Sequence, residues 1–180
     1  MKETMKHILL MCLIITTAFL QSCDERISPS QGTGVVETPP STNSLLLTAH
    51  SWQYSEVTLR GGGQTKVQFS RSNSINLSSD LSTTKVTYKV DGSYLSESKS
   101  GVTNGTWKFG ADEKQLILTD DKGKRQVFDI VVLATDKFNF SLTAKKADAG
   151  DDALWALTMQ SLGLPATTTE LVTSFSQITI

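Results

Sequence analysis

The sequence predicts an all-β domain folded as an antiparallel, up-and-down β-barrel of about seven to nine strands, with one short helix near the C-terminus. Three observations carry this. Apolar and polar residues alternate along successive short runs, the period of a strand with one face buried. Turn dipeptides and clusters of Gly and Asp punctuate the chain about every ten residues. A meander of such strands has one apolar face and two open edges, and closure into a barrel covers the face and removes the edges together.

The elements follow in order. "SWQYSEVTL", Ser51 to Leu59, reads as the opening strand, and "RGGGQ" connects it to "TKVQFS". "NSINLSSDLSTT" is rich in polar residues and fits a short strand or a loop equally well. In "KVTYKV", Val86, Tyr88 and Val90 share one face while Lys85, Thr87 and Lys89 share the other. Asp91-Gly92 suits the positive φ angles of a tight hairpin turn, which returns the chain through "SYLSES". "GTWKF" puts Trp107 and Phe109 on one face; "ADEK" turns, "QLILT" runs back and "DDKGK" turns again. "RQVFDIVVL" is a long strand, "ATD" a turn, and "KFNFSL" directs Phe138, Phe140 and Leu142 inward. "DDALWALTMQSLG" changes period: Asp151 or Asp152 can cap a helix, Trp155, Met159 and Leu162 recur at helical spacing, and Gly163 with Pro165 stops it. "TSFSQITI" closes the meander as a last strand.

The succession "SWQYSEV", "YKVDGSYL" and "NGTWKFGADEKQLILTDDKGKRQVFDIVVLATDKFNFSL" resembles the lipocalin-like domain of bacterial surface and periplasmic lipoproteins, over roughly Ser51 to Thr143. The resemblance implies a barrel of the calycin type. An eight-stranded barrel is just wide enough to be filled by its own side chains or to hold one small apolar ligand. The inward set expected here is Trp52, Tyr54, Val86, Tyr88, Tyr94, Trp107, Phe109, Leu118, Phe138 and Phe140. These residues are either plain core or the lining of a ligand pocket in which the hydroxyls of Tyr54, Tyr88 and Tyr94 orient the guest.

Lys2 and Lys6 precede an apolar run from Ile8 to Leu20, too short to span a bilayer and suited to a secretory signal. The run ends in Leu20-Gln21-Ser22-Cys23, which resembles the lipobox of bacterial lipoproteins. Cys12 would leave with the signal, so Cys23 would have no disulfide partner, and Cys23 with His50 is too few for a structural zinc site. The expectation is lipid attachment at Cys23 after removal of residues 1–22, with the acyl chains holding the protein on the outer membrane. Asp24 and Glu25 resemble the short acidic signals that send some lipoproteins to the cell surface; the alternative is the periplasmic face. Residues 23–44, rich in Ser, Thr, Pro and Gly, are expected to be a flexible tether with a mean reach on the order of 25 Å. Residues 45–180, about 135 in number, are the size of one domain with one core.

Removing Lys2, Glu3 and Lys6 with the signal leaves fifteen basic against seventeen acidic residues, which argues against a nucleic-acid partner. No cofactor, metal or catalytic site is expected. His50 is the sole histidine after the signal and reads as an exposed residue before the first strand. Asp120 and Asp121 fall in a turn, "DAGDD" lacks the ligand spacing of a calcium loop, and Gly61 to Gly63 lacks the lysine and following helix of a phosphate cradle. The expected function is therefore non-enzymatic: binding of a small apolar ligand or, if the barrel is filled, recognition of a protein or glycan through its loops.

Overall fold

The structure, a computed structural model, describes residues 39–77 and 81–180; the expected signal at residues 1–22, Cys23, Asp24 and Glu25 lie outside them. Ten strands follow in chain order: β1 (Ser51–Gly61), β2 (Gln64–Ser70), β3 (Ile75–Asn76), β4 (Lys85–Tyr88), β5 (Ser93–Ser98), β6 (Gly101–Phe109), β7 (Gln115–Asp120), β8 (Arg125–Leu133), β9 (Lys137–Lys145) and β10 (Glu170–Thr179). Helix α1 (Thr42–Thr48) precedes them, and helix α2 (Asp152–Ser161) lies between β9 and β10. Eight strands form a closed antiparallel ring in the order β1, β4, β5, β6, β7, β8, β9, β10 and back to β1.

The ring is sealed by β1. On one side it pairs with β10 from Trp52↔Thr179 to Arg60↔Val172. On the other its partner changes: Ser51 to Gln53 pair with β4, whereas Glu56 to Gly61 pair with β2. β2 and β3 therefore branch off as a flap, and a fork opens between β2 and β4. Arg71 bridges it: Nε donates to the Tyr54 carbonyl at 3.1 Å, Nη2 donates to the Ser82 carbonyl at 3.1 Å, and the guanidinium lies 5.7 Å from the centre of the Phe69 ring.

Alternation builds the wall. Val86 and Tyr88 are buried between the partly exposed Lys85 and Thr87, and Trp107 and Phe109 pair across the ladder with Leu118 and Leu116. Gly105 explains the start of "GTW". A Cβ there would stand 2.1 Å from the Thr119 carbonyl oxygen and 2.8 Å from Cε1 of Tyr94, so the Tyr94 ring occupies the place of the missing side chain.

Two expectations change. The alternation in "KVTYKV" stops at Tyr88, and Val90 is 79% exposed at the tip of the hairpin. Gly92 donates to the Lys89 carbonyl and alone in that turn takes a positive φ, +80°, so the loop is one residue longer than a two-residue turn and uses up Val90. Helical structure also begins before Leu45, and the described residues hold two helices rather than one. Thr42 to Ser44 form the first turn of α1, with Ser41 as N-cap accepting from the Ser44 amide at 3.1 Å. Only a tertiary contact makes so short a helix worthwhile. Leu47 is fully buried in the barrel core, and Trp52 Nε1 donates to the Leu47 carbonyl at 2.9 Å.

Helix α2 is bounded as its sequence implies. Asp151 Oδ1 accepts from the amides of Ala153 and Leu154, and the Gly163 and Leu164 amides return to the Gln160 and Met159 carbonyls in a Schellman motif. Trp155, Met159 and Leu164 form a second cluster with Leu59 and Leu171, over the ends of β1, β9 and β10 opposite to α1.

Candidate functional site

The interior of the ring is a ladder of rings. Tyr88 meets Trp107 and Phe138 edge-on at 6.1 and 6.3 Å, and Trp52 meets Phe138 edge-on at 5.7 Å. Phe140 stacks on Phe175 at 5.0 Å and receives the edge of Phe128 at 5.3 Å. The structure places all of Trp52, Tyr54, Tyr88, Tyr94, Trp107, Phe109, Phe138 and Phe140 in or against this one cluster. Trp52 and Phe138 are fully enclosed, whereas Tyr54 and Phe109 keep partial exposure.

Of the interior residues outside the sequence-based set, Leu116 among them, four are instructive. Phe128 and Phe175 stand at the inward phase of their strands, where the period of two in "RQVFDI" and "TSFSQIT" could have found them. Leu47 carries no such signal, because its burial depends on α1 folding against the barrel. Gln177 is the fourth. It pairs with Tyr54 on one side and Phe138 on the other, is fully buried, and neither its amide nitrogen nor its amide oxygen has a hydrogen-bond partner.

The tyrosines are held neutral. Burial pushes the Tyr54 phenol up to about 12, opposed by the nearby Gln177 amide, which approaches it without hydrogen-bond geometry. Burial, reinforced by Tyr54 and Tyr94, raises Tyr88 well above the ordinary phenol value. Tyr94 is raised by burial and by the charges of Asp120 and Asp121. Phenols so shifted offer hydrogen bonds and resist ionisation.

The remaining polar candidates occupy structural positions. Asp120 Oδ1 accepts from the Lys122 and Lys124 amides, closing the β7–β8 turn. Gly61 to Gly63 run through the β1–β2 hairpin, and His50 is exposed. Among the described residues no group of three or more His, Cys, Asp or Glu could hold a metal ion.

This closed antiparallel ring is accompanied by a match in sequence: residues 48–140, more than half of the chain, match the family described as a lipocalin-like domain. The chain belongs to that family. No curated protein matches it. The lipocalin-like match runs from the end of α1 to Phe140, so α2, β10 and Gln177 lie beyond it.

Inward-facing side chains of the lipocalin-like barrel differ along its axis. At the α1 end most are buried aromatics, with Phe109 and Leu133 partly exposed. Toward the α2 end Leu118, Leu142, Thr173 and Gln126, at inward positions by pairing and phase, keep partial exposure. Outside that mouth, a groove of about 450 Å³ is lined by Arg60, Gly62, Thr65, Thr167 and Thr169.

Proposed function

We propose that this protein is a non-enzymatic, lipid-anchored binding protein whose barrel takes a small apolar ligand. The observation that carries this is the partial exposure of inward-facing Tyr54, Leu118, Leu142 and Phe175 in a barrel otherwise lined by buried aromatics: packing does not seal these side chains completely. The neutral tyrosines and the isolated, exposed His50 supply no nucleophile and base at hydrogen-bond distance, which supports binding over catalysis. Membership of the lipocalin-like family points the same way.

Cys23 is the proposed acylation site, Asp24 and Glu25 the proposed export signal, and the cell-surface side of the outer membrane the proposed location. Cys23→Ala should end lipid labelling and release the protein from membranes; retention without the cysteine would remove the anchor from this reading.

The ligand reading is tested with a neutral, apolar fluorescent probe such as N-phenyl-1-naphthylamine. Uptake should be saturable, and Tyr88→Phe should weaken it by about 0.5 to 1.5 kcal/mol, the net value of one hydrogen bond. A barrel that takes up no probe, and unfolds identically with and without apolar ligands, would favour recognition of a protein or glycan through the loops.

A further inference from the structure

Where β2 branches away from the ring, the outer surface of the wall holds a cleft of about 590 Å³. One side is the end of the flap, at Arg71 and Ser72; the other is formed by Lys137 of β9 and by Ser176 and Ile178 of β10. Ser55 and Glu56 of β1 lie between them. Ser176 and Ile178 alternate with the inward Phe175 and Gln177, so the cleft is separate from the barrel interior.

Two features set this cleft apart from ordinary charged surface. Consecutive residues of a regular strand face opposite sides, yet Ser55 and Glu56 line the same cleft. The register of β1 against β10 shifts between Tyr54 and Glu56, and the extra residue brings two adjacent side chains to one face. Ser55 holds this bulge by donating from Oγ to the Ser176 carbonyl at 3.1 Å. The second feature is Arg71, whose guanidinium is fixed by the Tyr54 and Ser82 carbonyls and by the ring of Phe69. Two of its N–H groups are used in this way, and the rest remain for a guest. A cation ordered in advance loses little further freedom when an anion arrives.

The lining sets the chemistry of the guest. Arg71 and Lys137 are matched to an oxyanion, while Glu56 accepts hydrogen bonds and is matched to hydroxyl groups. Among the described residues neither Lys137 nor Glu56 is in an ion pair. Ile178 gives the C–H face of a ring an apolar neighbour. Bare phosphate would meet Glu56 with like charge, and a neutral sugar would leave both cations without an anion. We propose that this outer cleft binds an acidic sugar, a pyranose bearing a phosphate or a carboxylate, with Arg71 and Lys137 on the oxyanion and Glu56 accepting from the ring hydroxyls. The volume falls within the roughly 300–1,000 Å³ of small-molecule sites. The site is independent of what the barrel interior holds.

The test is calorimetric titration of the full-length mature protein, held in detergent, with glucose 6-phosphate, glucuronic acid, glucose and inorganic phosphate. At least one acidic sugar should bind about tenfold more tightly than both glucose and phosphate, because it alone engages the cations and Glu56 together. Which acidic sugar does so identifies the oxyanion. Phosphate or glucose binding as tightly as the acidic sugars, or no binding by either acidic sugar, would overturn the proposal. Glu56 and Lys137 are exposed, so both can be changed without disturbing the core, whereas Arg71 is kept because it also spans the fork. Lys137→Gln should weaken the acidic sugar about tenfold, and Lys137→Arg should retain it. Glu56→Gln should weaken the acidic sugar and leave phosphate unchanged or tighter. Tightening of both would mean that Glu56 only repels anions, and would decide against a sugar site. Binding of the acidic sugar that survives both Lys137→Gln and Glu56→Gln unchanged would place it elsewhere and overturn the assignment as well.

Discussion

The two ends of the barrel are covered by helices of similar modesty but of different standing. At one end α1 contributes Leu47 to the main core, is tied to the wall by the Trp52–Leu47 hydrogen bond, and holds the β6–β7 turn through Asn43 Nδ2, which donates to Glu113 Oε2 at 3.0 Å. At the other end α2 builds a cluster of its own and caps only the rim formed by β1, β9 and β10. Leu154 and Leu157 on α2 stay 39% and 63% exposed, so the helix lies on the rim without entering the barrel. One cover is part of the core and the other rests upon it. A cover with its own small cluster can loosen at a fraction of the global unfolding free energy.

Four perturbations break or sharpen this contrast. The largest is Trp52→Ala at the α1 end, which empties a fully buried site and orphans the Leu47 carbonyl; it should cost about 3 to 5 kcal/mol in urea unfolding. Trp155→Ala, at the α2 end, removes an equally buried indole and its 2.6 Å hydrogen bond to the Thr168 carbonyl, with a loss of about 3 kcal/mol. The two should differ in reach. Amide exchange after Trp155→Ala should quicken in α2 and residues 164–169 and leave β4 to β7 slow, and uniform quickening around the barrel would erase the distinction between the ends.

Alkali comes next, because it acts inside the barrel and away from α2. The Tyr54 phenol is raised from 10.0 to about 12, so the folded state holds this proton more tightly than the unfolded chain. The stabilisation is fully present below pH 10 and is lost as pH rises toward 12, a decline of about 2 to 3 kcal/mol. Tyr54→Phe should flatten that part of the curve of unfolding free energy against pH, and superimposable curves would show that the phenol is not shielded. The smallest effect is Asp151→Ala, which strips the N-cap of α2 and should cost about 1 kcal/mol. Restriction of that loss to exchange within α2 would sharpen the contrast further.

Much of this architecture was legible because each local signal agreed with the fold around it. Lys85 to Tyr88 alternate because one face of β4 is wall and the other lining, and α2 announces itself through Asp151 at one end and Gly163 at the other. Misreadings fell where a tertiary contact decided. Pro39 to Ser44 have the composition of a tether, yet Thr42 onward is helical because Leu47 has a place in the core. Val90 continues an apolar phase and is nevertheless at a turn tip, since Gly92 sets the loop. The aromatic lining was readable from strand phase. Gln177 was not, because an amide on an inward phase looks like an ordinary polar residue until its neighbours on β1 and β9 are known.

The seam between β1 and β10 also orders events in time. Hairpins from β4 to β9 can form from neighbours in sequence, but β1 must wait for the last strand of the domain before Trp52 can meet Thr179. Contacts between such distant residues form late, since the loop they close has to be ordered first. Until β10 arrives, one side of β1 and one side of β9 present unpaired backbone to whatever is nearby. A chain delivered from its N-terminal end therefore stays open until nearly all of it has been delivered, and in that interval the cell must keep two sticky edges apart.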